Sequence, residues 1–189
     1  MHTSRVIASA LVAAALSATA VQAGMLNPSD WTASLTPSTA GTNWAIDNPG
    51  PLSIKMTYWF DTEAVHNGVS AMFSTTAAQS GALTIDWNYV FWHQWYNPTA
   101  SLTFFADSAS GIVETNVFSA WPAYQGTSVS GTTTLNLSQG YSWGLRVTGR
   151  NLDSNTAISG IVTLTPVPAP GAMALLGLAG AFGARRARR

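Results

Sequence analysis

Hydrophobic and polar residues alternate with a period of two along most of the chain between residues 50 and 165. Leu52, Ile54, Met56, Tyr58 and Phe60 alternate with Ser53, Lys55, Thr57 and Trp59. Leu83, Ile85, Trp87, Tyr89 and Phe91 alternate with Thr84, Asp86, Asn88 and Val90, and Tyr141, Trp143, Leu145 and Val147 with Ser142, Gly144, Arg146 and Thr148. Ile158, Val162 and Leu164 repeat the pattern. Successive side chains of a strand point to opposite faces, so each run predicts a strand with one buried face. Shorter candidates are residues 69–74, 101–105, 112–118 and 132–137. Turn chemistry separates them: Asp47-Asn48-Pro49-Gly50-Pro51, Gln79-Ser80-Gly81, Ser108 to Gly111, Ser138-Gln139-Gly140 and Asn151 to Asn155. No stretch there holds a helical period. About eight short strands predict an all-β, antiparallel two-sheet sandwich of jelly-roll type.

The two ends break this pattern. Arg5 followed by the apolar run Val6 to Ala20 and by Val21-Gln22-Ala23 has the three parts of a secretory signal, with cleavage after Ala23. At the other end, Thr165-Pro166-Val167-Pro168-Ala169-Pro170-Gly171 is an elbow that no helix or central strand tolerates. An apolar helix is expected over 172–184, then the cluster Arg185, Arg186, Arg188 and Arg189. Thirteen helical residues cover only about 20 Å, short of a hydrocarbon core. Four arginines held on the cytoplasmic side leave the preceding domain outside. The expected organisation is a signal peptide over 1–23, a sandwich over 24–165 and a tail over 166–189, flanking the sandwich with a signal helix and a hydrophobic helix.

Composition narrows the function classes. Charged residues make up 8% of the chain against roughly a quarter in ordinary soluble domains. Of the basic residues, only Lys55, Arg146 and Arg150 lie in 24–165, where all eight acidic residues lie. A nucleic-acid binder would carry its basic residues there, so none is expected as a partner. The absence of Cys excludes disulfides, Cys-based zinc sites and thiol nucleophiles. Neither a phosphate-cradling glycine loop nor a Gly-x-Ser-x-Gly elbow occurs.

Val167, Pro168, Ala169, Pro170 and Gly171, the Leu/Ala/Gly run and the arginine cluster resemble the PEP-CTERM sorting tail of Gram-negative bacteria, also called an ice-binding-protein C-terminal domain. Ala169 stands where that motif usually has Glu. The resemblance covers roughly the last 23 residues. It implies export, anchoring in the inner membrane, processing by an exosortase-type membrane transpeptidase, and delivery to the cell surface or an extracellular polysaccharide matrix. Residues 75–165 are also loosely similar to a β-sandwich common in exported proteins with such tails.

Candidate chemistry is sparse. All eight Trp lie within 24–165, and Tyr89 to Pro98 packs five aromatic rings and His93 into ten residues. Tyr89 and Phe91 fall in the inward phase, whereas Trp92, Trp95 and Tyr96 cannot all point inward. With Trp121 they form a candidate glycan platform, because flat apolar rings stack on the C–H faces of sugars while Asn, Gln and His serve the hydroxyls. Closure of the sandwich end explains the same rings. Asp61, Thr62, Glu63 and His66, and separately Asn151, Asp153 and Asn155, are possible metal ligands that ordinary loop residues explain equally. No metal or other cofactor is therefore expected. Asp86, Asp107 and Glu114 are the carboxylates eligible for glycoside hydrolysis, with nothing in their spacing to bring two together. Arg146 and Arg150 suit structural ion pairs with Glu114 or Asp153. The leading expectation is a non-enzymatic structural or interaction protein of the cell surface, with a carbohydrate-binding module as the alternative and a secreted glycoside hydrolase as the second.

Overall fold

The computed structural model describes residues 25, 27–61, 68–93, 98–120, 126–151 and 157–168. Among these residues ten strands run β1 (Thr32–Thr36), β2 (Asn43–Gly50), β3 (Ser53–Phe60), β4 (Val69–Thr76), β5 (Gly81–His93), β6 (Pro98–Ala106), β7 (Val113–Ala120), β8 (Thr127–Leu137), β9 (Ser142–Asn151) and β10 (Ile158–Pro166). They form two five-stranded antiparallel sheets, ordered β1-β4-β9-β6-β7 and β2-β3-β10-β5-β8. Within them β3 pairs with β10, β4 with β9, β5 with β8 and β6 with β7. This nesting is a long hairpin rolled up until its two arms interleave between the sheets, which defines the expected jelly roll. The terminal signal and hydrophobic helices, with Ala23, Ala169, Pro170, Gly171, Arg185, Arg186, Arg188 and Arg189, lie outside the described residues.

The alternation read from the sequence sets the core. Ile54, Met56, Tyr58 and Phe60 of β3 and Leu83, Ile85, Trp87, Tyr89 and Phe91 of β5 point inward and are buried. Phe73, Leu102, Phe104, Trp143, Leu145 and Val147 meet them from the first sheet. A 3-10 turn, Pro28–Asp30, closes one end. There Trp31 packs edge-on against Trp143 at 5.1 Å and donates its indole N–H to the Met25 carbonyl at 2.8 Å. Aromatic rings thus provide much of the closure, in the arrangement their quadrupoles favour.

Three local expectations change. Asp47 to Pro51 was expected as a turn, yet β2 runs through Gly50 and the reversal falls at Pro51-Leu52, leaving Leu52 exposed. As an edge strand, β2 can accommodate Pro49 at its register break between Asp47 and Gly50. Tyr141 was in phase with the core but precedes β9 and is exposed. Finally, β10 continues to Pro166, and Val167 donates its backbone N–H to the Thr84 carbonyl at 2.9 Å, so the proline elbow begins inside the sheet. Pro166 is tolerated because it sits beyond the last β3 partner, Leu164, where one flank of the strand is open.

Candidate functional site

Residues directly opposite each other in an antiparallel ladder share a face, so the register of the second sheet assembles its outer surface. Across β2, β3, β10 and β5, one row reads Asn43, Trp59, Ser159, Trp92. Both tryptophans are substantially exposed, Trp59 at 44% and Trp92 at 37%. Ser159 lies between them on the central strand, so two strand spacings, about 9.6 Å, separate the two backbones. The adjacent row, Ala45, Thr57, Ile161, Val90, Ser128, is largely apolar, with Ile161 exposed. The next is polar: Asp47, Lys55, Thr163, Asn88, Ser130. The face therefore grades from an aromatic end through an aliphatic band to a hydroxyl- and amide-bearing end.

Among the described residues this face carries one ion pair and one further carboxylate. Lys55 Nζ lies 3.3 Å from the Asp47 carboxylate, and Asp86 accepts the Thr132 hydroxyl. The Thr84 and Thr134 hydroxyls are bonded at 3.0 Å.

Behind the platform a buried hydroxyl pair links β3 to β5. Tyr58, the chain neighbour of Trp59, faces inward, and its hydroxyl meets that of Tyr89 at 2.7 Å. The Tyr58 ring crosses over Gly160 of β10, where a Cβ would stand 2.5 Å from its Oη. Glycine at 160 therefore provides the gap through which the two tyrosines meet. Burial pushes both phenols well above their usual pKa. For Tyr58 the charge and hydrogen bond of Tyr89 add to that rise, whereas the hydrogen bond opposes it for Tyr89.

The sequence-predicted residues fare unequally. Trp92 belongs to the exposed row, whereas Trp95, Tyr96 and Trp121 lie outside the described residues. His93 was expected beside the platform as a hydroxyl partner, but it is fully buried. The period of two continues through the end of β5 and turns His93 inward with Phe91. Trp59 falls in the polar phase of β3, outside the aromatic run of 89–98. That phase was itself the signal, because a tryptophan in the solvent phase of a strand exposes its ring. Trp44 pairs with inward-facing Tyr58, yet it remains exposed at the sheet edge.

Arg146, expected in an ion pair, lies 2.9 Å from Glu114 on the outer face of the first sheet. Asp86 is on the outer face of the second, so these two eligible carboxylates face away from one another. Asp107 instead accepts the backbone N–H of Ser108 in a turn at 2.8 Å. Asp61 accepts from the Thr39 hydroxyl and the Gly41 N–H, while Glu63, His66, Asp153 and Asn155 lie outside the described residues. Among the described residues no three His, Cys, Asp or Glu side chains gather as metal ligands would, and no helix is long and apolar enough to cross a membrane.

No protein-family model and no curated protein matches the chain. Solved structures with a similar fold include TmCBM61 in complex with β-1,4-galactotriose, at 13% identity and a TM-score of 0.44, covering 79% of this chain and 95% of that one. A carbohydrate-binding module of the β-sandwich superfamily matches at 10% identity and a TM-score of 0.44, over 76% of this chain and 59% of that one. The CBM22-1 xylan-binding domain from Paenibacillus barcinonensis Xyn10C matches at 16% identity and 0.38, over 74% and 86%. The adhesin domain of Epf from Streptococcus pyogenes matches at 6% identity and 0.40, over 72% and 58%. These likenesses concern architecture alone.

Proposed function

We propose that the chain is an exported, non-catalytic protein that binds a neutral polysaccharide on the outer face of its second sheet, with Trp59 and Trp92 as the stacking rings. The observation that carries this reading is the row Trp59, Ser159, Trp92, which sets two exposed indoles on either side of a hydroxyl on a rigid ladder. Indole faces match the C–H faces of pyranose rings, and the intervening serine and neighbouring Asn43 can serve ring hydroxyls. The opposed outlook of Asp86 and Glu114 supports binding rather than hydrolysis, which needs two carboxyl groups across one cleft.

Affinity electrophoresis against neutral and acidic polysaccharides tests the proposal. Retardation by a neutral polymer is expected. If each ring contributes about 0.5–1.5 kcal/mol, as aromatic contacts do, Trp59→Ala and Trp92→Ala should each weaken binding roughly two- to tenfold. A purely structural surface protein would show no retardation by any glycan, or retardation unchanged in both variants.

Delivery in this proposal rests on the two ends: signal cleavage after Ala23, transient anchoring of 172–184 in the inner membrane against Arg185, Arg186, Arg188 and Arg189, and exosortase-type processing at the Val167 to Gly171 elbow. In this reading the two ends deliver the domain to where extracellular polysaccharide is available as a partner.

A further inference from the structure

The sandwich has four sheet edges, and three carry features that discourage another strand from pairing. β1 has only five residues and runs into Pro37. β2 breaks register between Asp47 and Gly50, contains Pro49 and carries a charge. β7 breaks register against β6, with Val117 as the extra residue, and bears Glu114 in its ion pair with Arg146. Short strands, prolines, bulges and charges are the means by which sheet edges avoid mispairing.

β8 has none of them. Its eleven residues pair with β5 in an unbroken register from Gly81↔Leu137 to Phe91↔Thr127. It contains neither proline nor a charged residue, and among the described residues no strand lies beyond it. Its outer face presents Ser128, Ser130, Thr132, Thr134 and Asn136, small side chains that pair well with their own kind.

A second observation lies at the same rim. Trp87 stands opposite Gly131, and a Cβ at Gly131 would be 3.0 Å from Cε2, the ring carbon bonded to the indole nitrogen. The nitrogen-bearing side of Trp87 therefore reaches over the edge strand. Among the described residues, its Nε1 is the one buried side-chain polar atom without a hydrogen-bond partner.

We infer that β8 is a self-association edge, on which a second copy of this chain adds its own β8 antiparallel. The partner is a copy because the edge is uncharged and chemically self-matching, so twofold pairing brings no like charges together. It pairs through β8 because that is the one open edge a copy can offer among its described strands. Such an interface is isologous and closed, and it predicts dimers rather than fibres. A twofold axis perpendicular to the sheet joins the two second sheets into one of ten strands. Both Trp59 and Trp92 rows then lie on the same face, where one long polymer can engage them together.

The chain has no Cys, which allows a direct test. Single Cys substitutions at each position from 128 to 136 are made in the full chain and oxidised, with Ser34→Cys on β1 and Ala45→Cys on β2 as controls. A disulfide needs Cβ atoms within about 4.5 Å, so a disulfide-linked dimer is expected at the position on the twofold axis, with yield falling on either side and none at the controls. Sedimentation velocity over a dilution series should show monomer and dimer. Ser130→Lys with Thr134→Lys should shift the protein to monomer, with an unfolding midpoint that no longer depends on protein concentration. A monomer at every concentration, cross-linking absent throughout β8 or equal at the controls, or a dimer indifferent to the two lysines would overturn the inference. Concentration-independent protection of β8 amides in a monomer would show that another segment of the same chain covers the edge, and would overturn it as well.

Discussion

Removing the Tyr58 hydroxyl should cost more than removing the Tyr58 and Tyr89 hydroxyls together. Both rings are about fully buried, and their hydroxyls bond each other at 2.7 Å. Tyr58→Phe strands the Tyr89 hydroxyl in the core, and Tyr89→Phe does the same to Tyr58. An unsatisfied buried hydroxyl costs about 1–3 kcal/mol, whereas replacing both partners by apolar groups of the same shape is nearly neutral. The double variant should therefore lie within about 1 kcal/mol of the parent, giving a coupling close in size to the sum of the two single losses and opposite in sign. Urea unfolding at constant m-value reads this directly.

The same pair sets an alkaline limit on stability. Burial raises both phenols above the ordinary value of about 10, so the folded state retains protons that the unfolded chain releases above that pH. Their contribution is complete below about pH 10 and is lost as pH climbs toward the folded-state values. The parent should lose stability above pH 10 more steeply than the Phe/Phe variant. Additive single losses, or identical alkaline profiles, would refute the account of how β3 is tied to β5 beneath the platform.

Gly160→Ala places a methyl 2.5–2.8 Å from the Tyr58 hydroxyl oxygen and two of its ring carbons, and should lower stability by about 1–3 kcal/mol in thermal unfolding by pushing that ring off Tyr89. Arg146→Met should change stability by less than about 1 kcal/mol, with little salt dependence left, because its pair with Glu114 is solvent-exposed. Intact-mass measurement of cell-associated and released protein should show loss of residues 1–23, and a second truncation near Pro168 in the released form. Retention of the tail in the released form would contradict processing at the elbow. Neutral residues in place of Arg185, Arg186, Arg188 and Arg189 should weaken retention in the membrane fraction, and undiminished retention would count against the anchor.

The parts of the fold legible in the sequence are those governed by side-chain phase. In β3, β5, β9 and β10 the alternation names nearly every core residue, because a buried face leaves no tolerance for a slip in register. β1 and β2 escape that reading, since edge strands bury little and β2 carries Asn48-Pro49-Gly50, chemistry that reads as a turn. The site was half legible. Trp92 stood out by aromatic density, yet density also marked His93, Tyr89 and Phe91, which are core. Trp59 lies 33 positions earlier, flanked by Tyr58 and Phe60, whose rings belong to the core. Its partnership with Trp92 exists only through β10, whose place between β3 and β5 is a long-range pairing that local alternation does not encode.

Labelling the eight tryptophans with 5-fluorotryptophan and titrating the polysaccharide retained in electrophoresis, followed by fluorine NMR, locates the binding surface directly. Resonances assigned to Trp59 and Trp92 by single substitution should shift or broaden together, while those of buried Trp31 and Trp143 stay in place. Binding that perturbs neither Trp59 nor Trp92 would place the ligand elsewhere and contradict the account.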